Sequence, residues 1–354
     1  MRTADFEFVL PPELIAQYPA EVRDASRLMV LHRDAGRIEH RYFRELPGLL
    51  QTGDILVHNN SRVMPARLFG RNRQTGGVFE VFLLEENARN DWWAMLKPAR
   101  RARVGTEIQL LHAGAPTTTI AKVLETNAEG HRRLRFEGTQ NLLTELSRLG
   151  NVPLPPYITR SANATDLQRY QTIYASAPGS LAAPTAGLHF TENLMSELNR
   201  MGIQSHFVTL HVGLGTFAPV KAEELSKHVM HEEQFQITAA TAAAINAAKA
   251  EGRRVVAVGT TSLRVLECVT ARNAGPITAA QGRTRIFVHP PYQFCVVDAL
   301  LTNFHLPRST LLMLVSAFAA PGSSSGRELV LDAYQEAIRN RYRFYSYGDA
   351  MLIV

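Results

Sequence analysis

Apolar runs that break abruptly into polar residues recur along the chain, and they set the expected elements. Residues 295–301 read as a buried strand ending in Thr302, Asn303, Phe304 and His305. Pro307 lacks the N–H that a central ladder needs and stops that strand. Ser309 or Thr310 can cap the helix that follows, 311–318, which is apolar on nearly every side and therefore expected to be buried all round. The strand 55–57 ends the same way, in His58, Asn59, Asn60, Ser61 and Arg62, as a sheet exit or as part of a cleft. A third strand, 254–258, meets a helix starting near Ser262, with Arg264 and Glu267 in its first turns. Open α/β sheets place ligands at such strand ends, although each cluster also suits a hydrogen-bonded corner.

Other segments extend the α/β pattern. Two strands flank the turn Asp34-Ala35-Gly36, Thr191 can cap a helix that Gly202 ends, and an alanine-rich helix closes at Gly252. The final ten residues carry Tyr347, Gly348 and Asp349 ahead of an apolar strand. Between 62 and 153 the texture changes to short β-rich segments separated by glycine and charged turns, as in a small barrel. The expected fold is therefore α/β, with 1–61 and 154–354 forming one discontinuous domain and 62–153 an inserted β-barrel domain.

Composition narrows the class. A chain of 354 residues, 45% hydrophobic and 20% charged, is globular and long enough for two domains. Two cysteines, Cys268 and Cys295, cannot build a disulfide framework or a zinc cluster, which suits a reducing cytosol. No apolar run approaches the roughly 20 residues of a membrane span, and no signal core opens the chain. A net charge of +6 permits nucleic-acid binding without establishing it.

Individual motifs carry less. Gly213-Leu214-Gly215 is not a dinucleotide fingerprint, so it shapes a turn or lets a ligand approach the backbone. His228 and His231 lie near carboxylates, but without zinc-hydrolase spacing no metal is expected. Lys97, Arg100, Arg101 and Arg103 form a basic turn, readable as a solvated run or as a phosphate-gripping face.

A close resemblance rests on longer blocks: PARL (65–68), PLPPYI (153–158), RYQTIYA (169–175), AAPTAGLHFT (182–191), TLHVGLGTF (209–217), VGTTSLRVLE (258–267), LLTNFHLPRSTLLMLVSAF and YRFYSYGDAML. In this order and almost end to end, they resemble the S-adenosylmethionine:tRNA ribosyltransferase-isomerases of bacterial queuosine biosynthesis. Asn60-Ser61, where Asp-Thr is expected, and Pro291 in HPPYQF depart from that pattern, as do the more basic Arg283 and Arg285. The resemblance implies a mixed-sheet α/β domain interrupted by a barrel. It also implies transfer and isomerisation of the ribosyl part of S-adenosylmethionine onto a 7-aminomethyl-7-deazaguanine at the tRNA wobble position, giving epoxyqueuosine and releasing adenine and methionine. The donor is then a consumed substrate, and no cofactor is expected.

Such chemistry needs a base beside the sulfonium and an acid for the departing adenine, roles suited to histidine. His189, His211 and His305 are the catalytic candidates, with Asp298 to orient one of them or to cap a turn. Tyr157 and Phe304 are candidates to stack on adenine or the sulfonium, or else core aromatics, with Thr185, Thr261, Arg264 and Asn303 completing the expected substrate site. The basic turn at Lys97, Arg100, Arg101 and Arg103 is then the expected tRNA grip. The expected protein is a cytoplasmic monomer with S-adenosylmethionine and tRNA as partners and no membrane. Rival classes are an S-adenosylmethionine-dependent RNA methyltransferase, disfavoured by the lack of a glycine-rich loop after the first strand, and a non-catalytic RNA-binding protein.

Overall fold

The computed structural model describes the chain except for residues 214, 216–219, 221, 273 and 274 and the side chain of Arg272. It divides into two compact units. One comprises residues 1–62, 155–160 and 171–354, and the other residues 63–154 and 161–170. Residues 161–170 thus group with the inserted unit, although the sequence pattern alone puts them in the α/β domain.

The first unit is built on a nine-stranded mixed sheet. Its centre runs Gln204–Leu210, Ile55–Asn59, Val255–Val258 and Ala299–Asn303, all parallel. Ala350–Ile353 joins antiparallel to Ala299–Asn303 and parallel to Arg27–His32. Alternation of side chains divides these strands between two cores. Ile55, Val57, Val255, Ala257, Leu300, Met351 and Ile353 face the helices Ala239–Ala250, Thr260–Arg272, Thr310–Ala319 and Gly326–Arg339. Leu56, Val256, Val258, Ala299, Leu301 and Leu352 face the helix Glu192–Arg200 and two short 3₁₀ segments. Burial on both faces explains why these strands read as continuous apolar runs.

The capped helices stand where the caps predict. Ser309 Oγ accepts from Leu312 N (3.2 Å), and Leu312–Ala319 are all buried behind it. Thr191 does the same for Leu194 N (3.2 Å). The strand expected over 295–301 begins only at Ala299. Ahead of it, Cys295, Val296 and Val297 give their N–H groups to the buried Glu267 carboxylate (3.0, 3.2 and 3.4 Å). A side chain 28 to 30 residues distant thus replaces the ladder.

The second unit is a closed six-stranded antiparallel barrel. Leu68, Phe79, Val81, Leu83, Trp92, Ala94, Ile108, Leu110, Val123 and Leu134 alternate inward and are buried. Gly70 is required by packing, since a Cβ there would lie 2.5 Å from Ile108 Cγ2. Leu142, Leu146 and Leu149 give the helix Leu142–Leu149 a buried stripe.

Candidate active site

The carboxyl ends of the central parallel strands fall on one edge of the sheet, because Val258 registers with His58 on one side and Leu301 on the other. From Val258 the chain turns through Gly259, whose φ of +89° suits glycine. Gly259 N donates to Leu301 O (2.7 Å), and helix Thr260–Arg272 starts at once. From Asn303 the neighbouring strand runs into Phe304 and His305. These two exits, together with Thr185, Tyr157 and Ser346, line a cleft. The position at the carboxyl edge is where open sheets bind ligands.

A polar chain stands behind that cleft. Ser26 Oγ donates to Arg23 O (3.0 Å) and lies 2.6 Å from His189 Nδ1. One tautomer satisfies this arrangement: Nδ1–H donates to Ser26, and Nε2 accepts from Asn303 Nδ2 (3.3 Å). Asn303 Nδ2 also lies near the carbonyls of Tyr345 and Asp349 (3.4 and 3.3 Å). The amide is therefore oriented, and its Oδ1 is buried without a partner among the described residues. His189, stacked at 4.9 Å on Phe43, has both ring nitrogens committed. Burial pushes its pKa down to about 3.

His305 differs. Its Nε2 lies 2.8 Å from Thr302 Oγ1, its backbone N–H donates to Tyr334 (3.0 Å), and no bond engages its Nδ1 among the described residues. Burial pushes its pKa down to about 3 as well, so the ring is neutral at physiological pH; with Thr302 Oγ1 donating to Asn303 O (3.4 Å), Nε2–H donates to Thr302 and Nδ1 carries the lone pair. A ring that rests neutral has no imidazolium proton to give, so of the two proton roles only acceptance is open to it.

The expected site residues separate into groups. Tyr157, Thr185, Thr261, Arg264, Asn303, Phe304 and His305 line the one cleft, and His189 supports it from behind. Tyr157 packs on Tyr345 at 4.6 Å, with its hydroxyl 2.6 Å from Ser346 Oγ. The Phe304 ring offers no open face. It is fully buried among Tyr334, Tyr342 and Phe344 (5.2, 5.5 and 5.0 Å), the core position that the sequence also left open.

His211 is not brought to the cleft. Val212 lines the cleft, and alternation along the extended chain turns His211 the other way. It lies in a polar groove with Thr209, Gln236 and Gln281, held against Gly179. Asp298 also lies elsewhere, at the opposite end of its strand. Its carboxylate binds Lys249 Nζ (2.9 and 3.0 Å) and Val255 N (2.8 Å), so it serves as a cap.

The two departures near residue 60 are bonded too. Asn60 Oδ1 accepts from Thr209 (2.7 Å), and Ser61 Oγ donates to Ser180 Oγ (2.7 Å). His58 is buried against Tyr174 and Phe190 (4.8 and 5.0 Å), away from the cleft. The glycine loop at 213–215 lies partly outside the described residues.

In the barrel, Lys97, Arg100, Arg101 and Arg103 are exposed around the turn Ala99–Arg101. Arg132 holds that turn through the carbonyls of Ala102 and Ala99 (2.8 and 2.9 Å). None of the four cations has a carboxylate partner among the described residues, whereas Arg133 and Arg135 share Asp91 and Arg73 binds Glu107.

Sequence reasoning missed four contributors. Ser26 sets the His189 tautomer, and Glu233 pairs with Arg264 inside the core. Tyr345, at φ +71°, and Ser346 complete the cleft wall. The only signal for the last two was the YSYGD motif, and nothing local pointed to the others.

A sequence profile of the family described as "Queuosine biosynthesis protein" matches residues 3–353. The chain is 52% identical, over the full length of both, to S-adenosylmethionine:tRNA ribosyltransferase-isomerase of Moorella thermoacetica. It is 48% identical, again over both full lengths, to the protein of that name from Desulforamulus reducens. It also resembles the crystal structure of S-adenosylmethionine tRNA ribosyltransferase from Thermotoga maritima, with a TM-score of 0.56 and 38% identity, covering 99% of this chain and 100% of that one.

Proposed function

The chain belongs to the queuosine biosynthesis protein family, and on that premise we propose that it is an S-adenosylmethionine:tRNA ribosyltransferase-isomerase. The full-length identity of 52% to the Moorella thermoacetica enzyme of that name carries the reading. The reaction moves the ribosyl group of S-adenosylmethionine to the aminomethyl nitrogen of a 7-deazaguanine at the tRNA wobble position. Adenine leaves from one end of the ribose and methionine from the other, so the donor is consumed as a substrate.

Within the cleft, the sulfonium acidifies hydrogens on the adjacent ribose carbon, and neutral His305 is the group suited to take one. Thr302 orients its ring. Asn303 Oδ1, fixed by His189, can accept from a hydroxyl or amine of the substrate. Tyr157, on the cleft wall, is the aromatic candidate for a contact with the cationic donor, an interaction worth about 1 kcal/mol. The exposed cluster of Lys97, Arg100, Arg101 and Arg103 supplies a phosphate grip for tRNA, binding that weakens as salt rises. No helix among the described residues is long and apolar enough to cross a membrane.

Incubation with S-adenosylmethionine and an anticodon stem-loop bearing the modified base tests the reading. Free adenine should appear in step with the mass gained by the RNA. Release of S-adenosylhomocysteine would instead mark a methyltransferase, and RNA retention with intact donor a binding protein.

A further inference from the structure

We infer that Arg264 and Thr261, in the first turns of helix Thr260–Arg272, seat the α-carboxylate of the donor's methionyl end. This rests on the donor reading above and adds where its one anionic group is held. Arg264 is 3% exposed, and its Nη1 donates to Glu233, itself 6% exposed. Its Nε and Nη2 are buried with no acceptor among the described residues, as is Thr261 Oγ1. Buried guanidinium N–H groups are rarely left unpaired, because removing them from water without a new acceptor is costly. Both residues line the cleft, so the missing acceptor is one a ligand can bring.

The backbone points to the same ligand. The helical ladder opens with Leu263 N donating to Gly259 O (3.2 Å), so the amides before Leu263 stand ahead of it. A 13-residue helix also places partial positive charge at that end. Charge then selects a monoanion. Glu233 already answers the full charge of Arg264, so what remains is a set of oriented donors and a helix end worth about half a charge. A carboxylate matches the planar guanidinium edge. Adenine, ribose and sulfonium supply no anion, which leaves the methionyl carboxylate. With that end seated at Arg264, the ribose extends toward Asn303 and His305 in the same cleft.

Equilibrium binding of S-adenosylmethionine and of its decarboxylated analogue tests this on three proteins: wild type, Thr261→Val and the double variant Glu233→Gln/Arg264→Gln. The double variant avoids leaving Glu233 buried and unpaired. The nearly isosteric Thr261→Val keeps the test open if the double variant does not fold. Wild type should prefer the carboxylated donor by roughly ten- to a hundredfold, the range of a charge-assisted hydrogen bond. Thr261→Val should reduce that preference and the double variant should abolish most of it, both through weaker binding of S-adenosylmethionine alone. Equal affinity of wild type for the two compounds, or an unchanged preference in both variants, overturns the inference. So does loss of tRNA affinity in the variants without change in that preference, which would assign the seat to an RNA phosphate. If wild type binds neither compound, the donor reading itself fails and this inference goes with it.

Discussion

One cluster of uncommitted polar atoms in the α/β unit is buried in a cleft, whereas one cluster of uncommitted charges in the barrel stands on the surface. Asn303 Oδ1, Thr261 Oγ1 and two nitrogens of Arg264 lack partners among the described residues, and all three side chains line one concavity. The barrel's buried carboxylate is well answered: Asp91 accepts from Arg133 (2.8 and 3.0 Å), Arg135 (2.9 Å) and Asn87 (3.2 Å). Its cations Lys97, Arg100, Arg101 and Arg103 stand exposed instead. The two arrangements suit different ligands. Desolvated donors and acceptors are strong and selective but can serve only a molecule small enough to enter. Hydrated cations act weakly, additively and with salt dependence, as suits a polyanion.

The sharpest break of this comparison is His305→Ala. It should lower turnover about a hundredfold or more, the usual weight of a general base, while leaving tRNA binding intact. His211→Ala should remain near wild type, since its ring lies in the other groove. Equal losses in both variants, measured by adenine release, would remove the distinction drawn between the two histidines.

Acid should separate the units next. His58 and His189 are held near pKa 3 by burial, below the unfolded value of about 6.5. The unfolded chain therefore binds protons first, and stability falls as pH drops below about 6.5, by up to ~1.4 kcal/mol per pH unit for each ring. Asp91 has its pKa depressed by Arg133, so its contribution persists above the ordinary carboxylate range and is lost only as pH falls through the folded value. Hydrogen exchange at pH 7.5 and 5.5 should show protection lost in the α/β strands and kept in the barrel. Equal loss in both would contradict this account.

A smaller effect is expected for Arg100→Ala with Arg101→Ala. The salt slope of tRNA binding should flatten by about one unit for each phosphate no longer neutralised, with donor affinity unchanged. A wild-type slope would make the turn an ordinary solvated one. Smallest is Asp298→Asn. It breaks a half-exposed pair with Lys249 worth under about 1 kcal/mol, while an amide oxygen can still accept from Val255 N. Adenine release should not change, and a large loss would restore Asp298 to the chemistry.

Local order in the chain determined a good deal. Ser309 and Thr191 announced their helices, because a cap and the N–H it serves are three residues apart. Continuous apolar runs announced buried strands, and the shift to short β segments announced the barrel. The strand exits at Asn303 and Thr261 marked the cleft, because strand and helix ends are written locally. What decided the site lay beyond that range. His189 depends on Ser26, 163 residues away, and Arg264 on Glu233, 31 residues away, and no periodicity links such pairs. His211 and His305 both follow strands in similar polar settings, yet side-chain alternation and sheet order send them to different grooves. Asp298 looked close to His305 in sequence, but an extended strand carries its two ends to opposite edges of the sheet, roughly 3.3 Å per residue apart. Secondary structure follows from neighbours in sequence, whereas the partners of a buried side chain follow from which distant strands lie side by side, and only the folded sheet decides that.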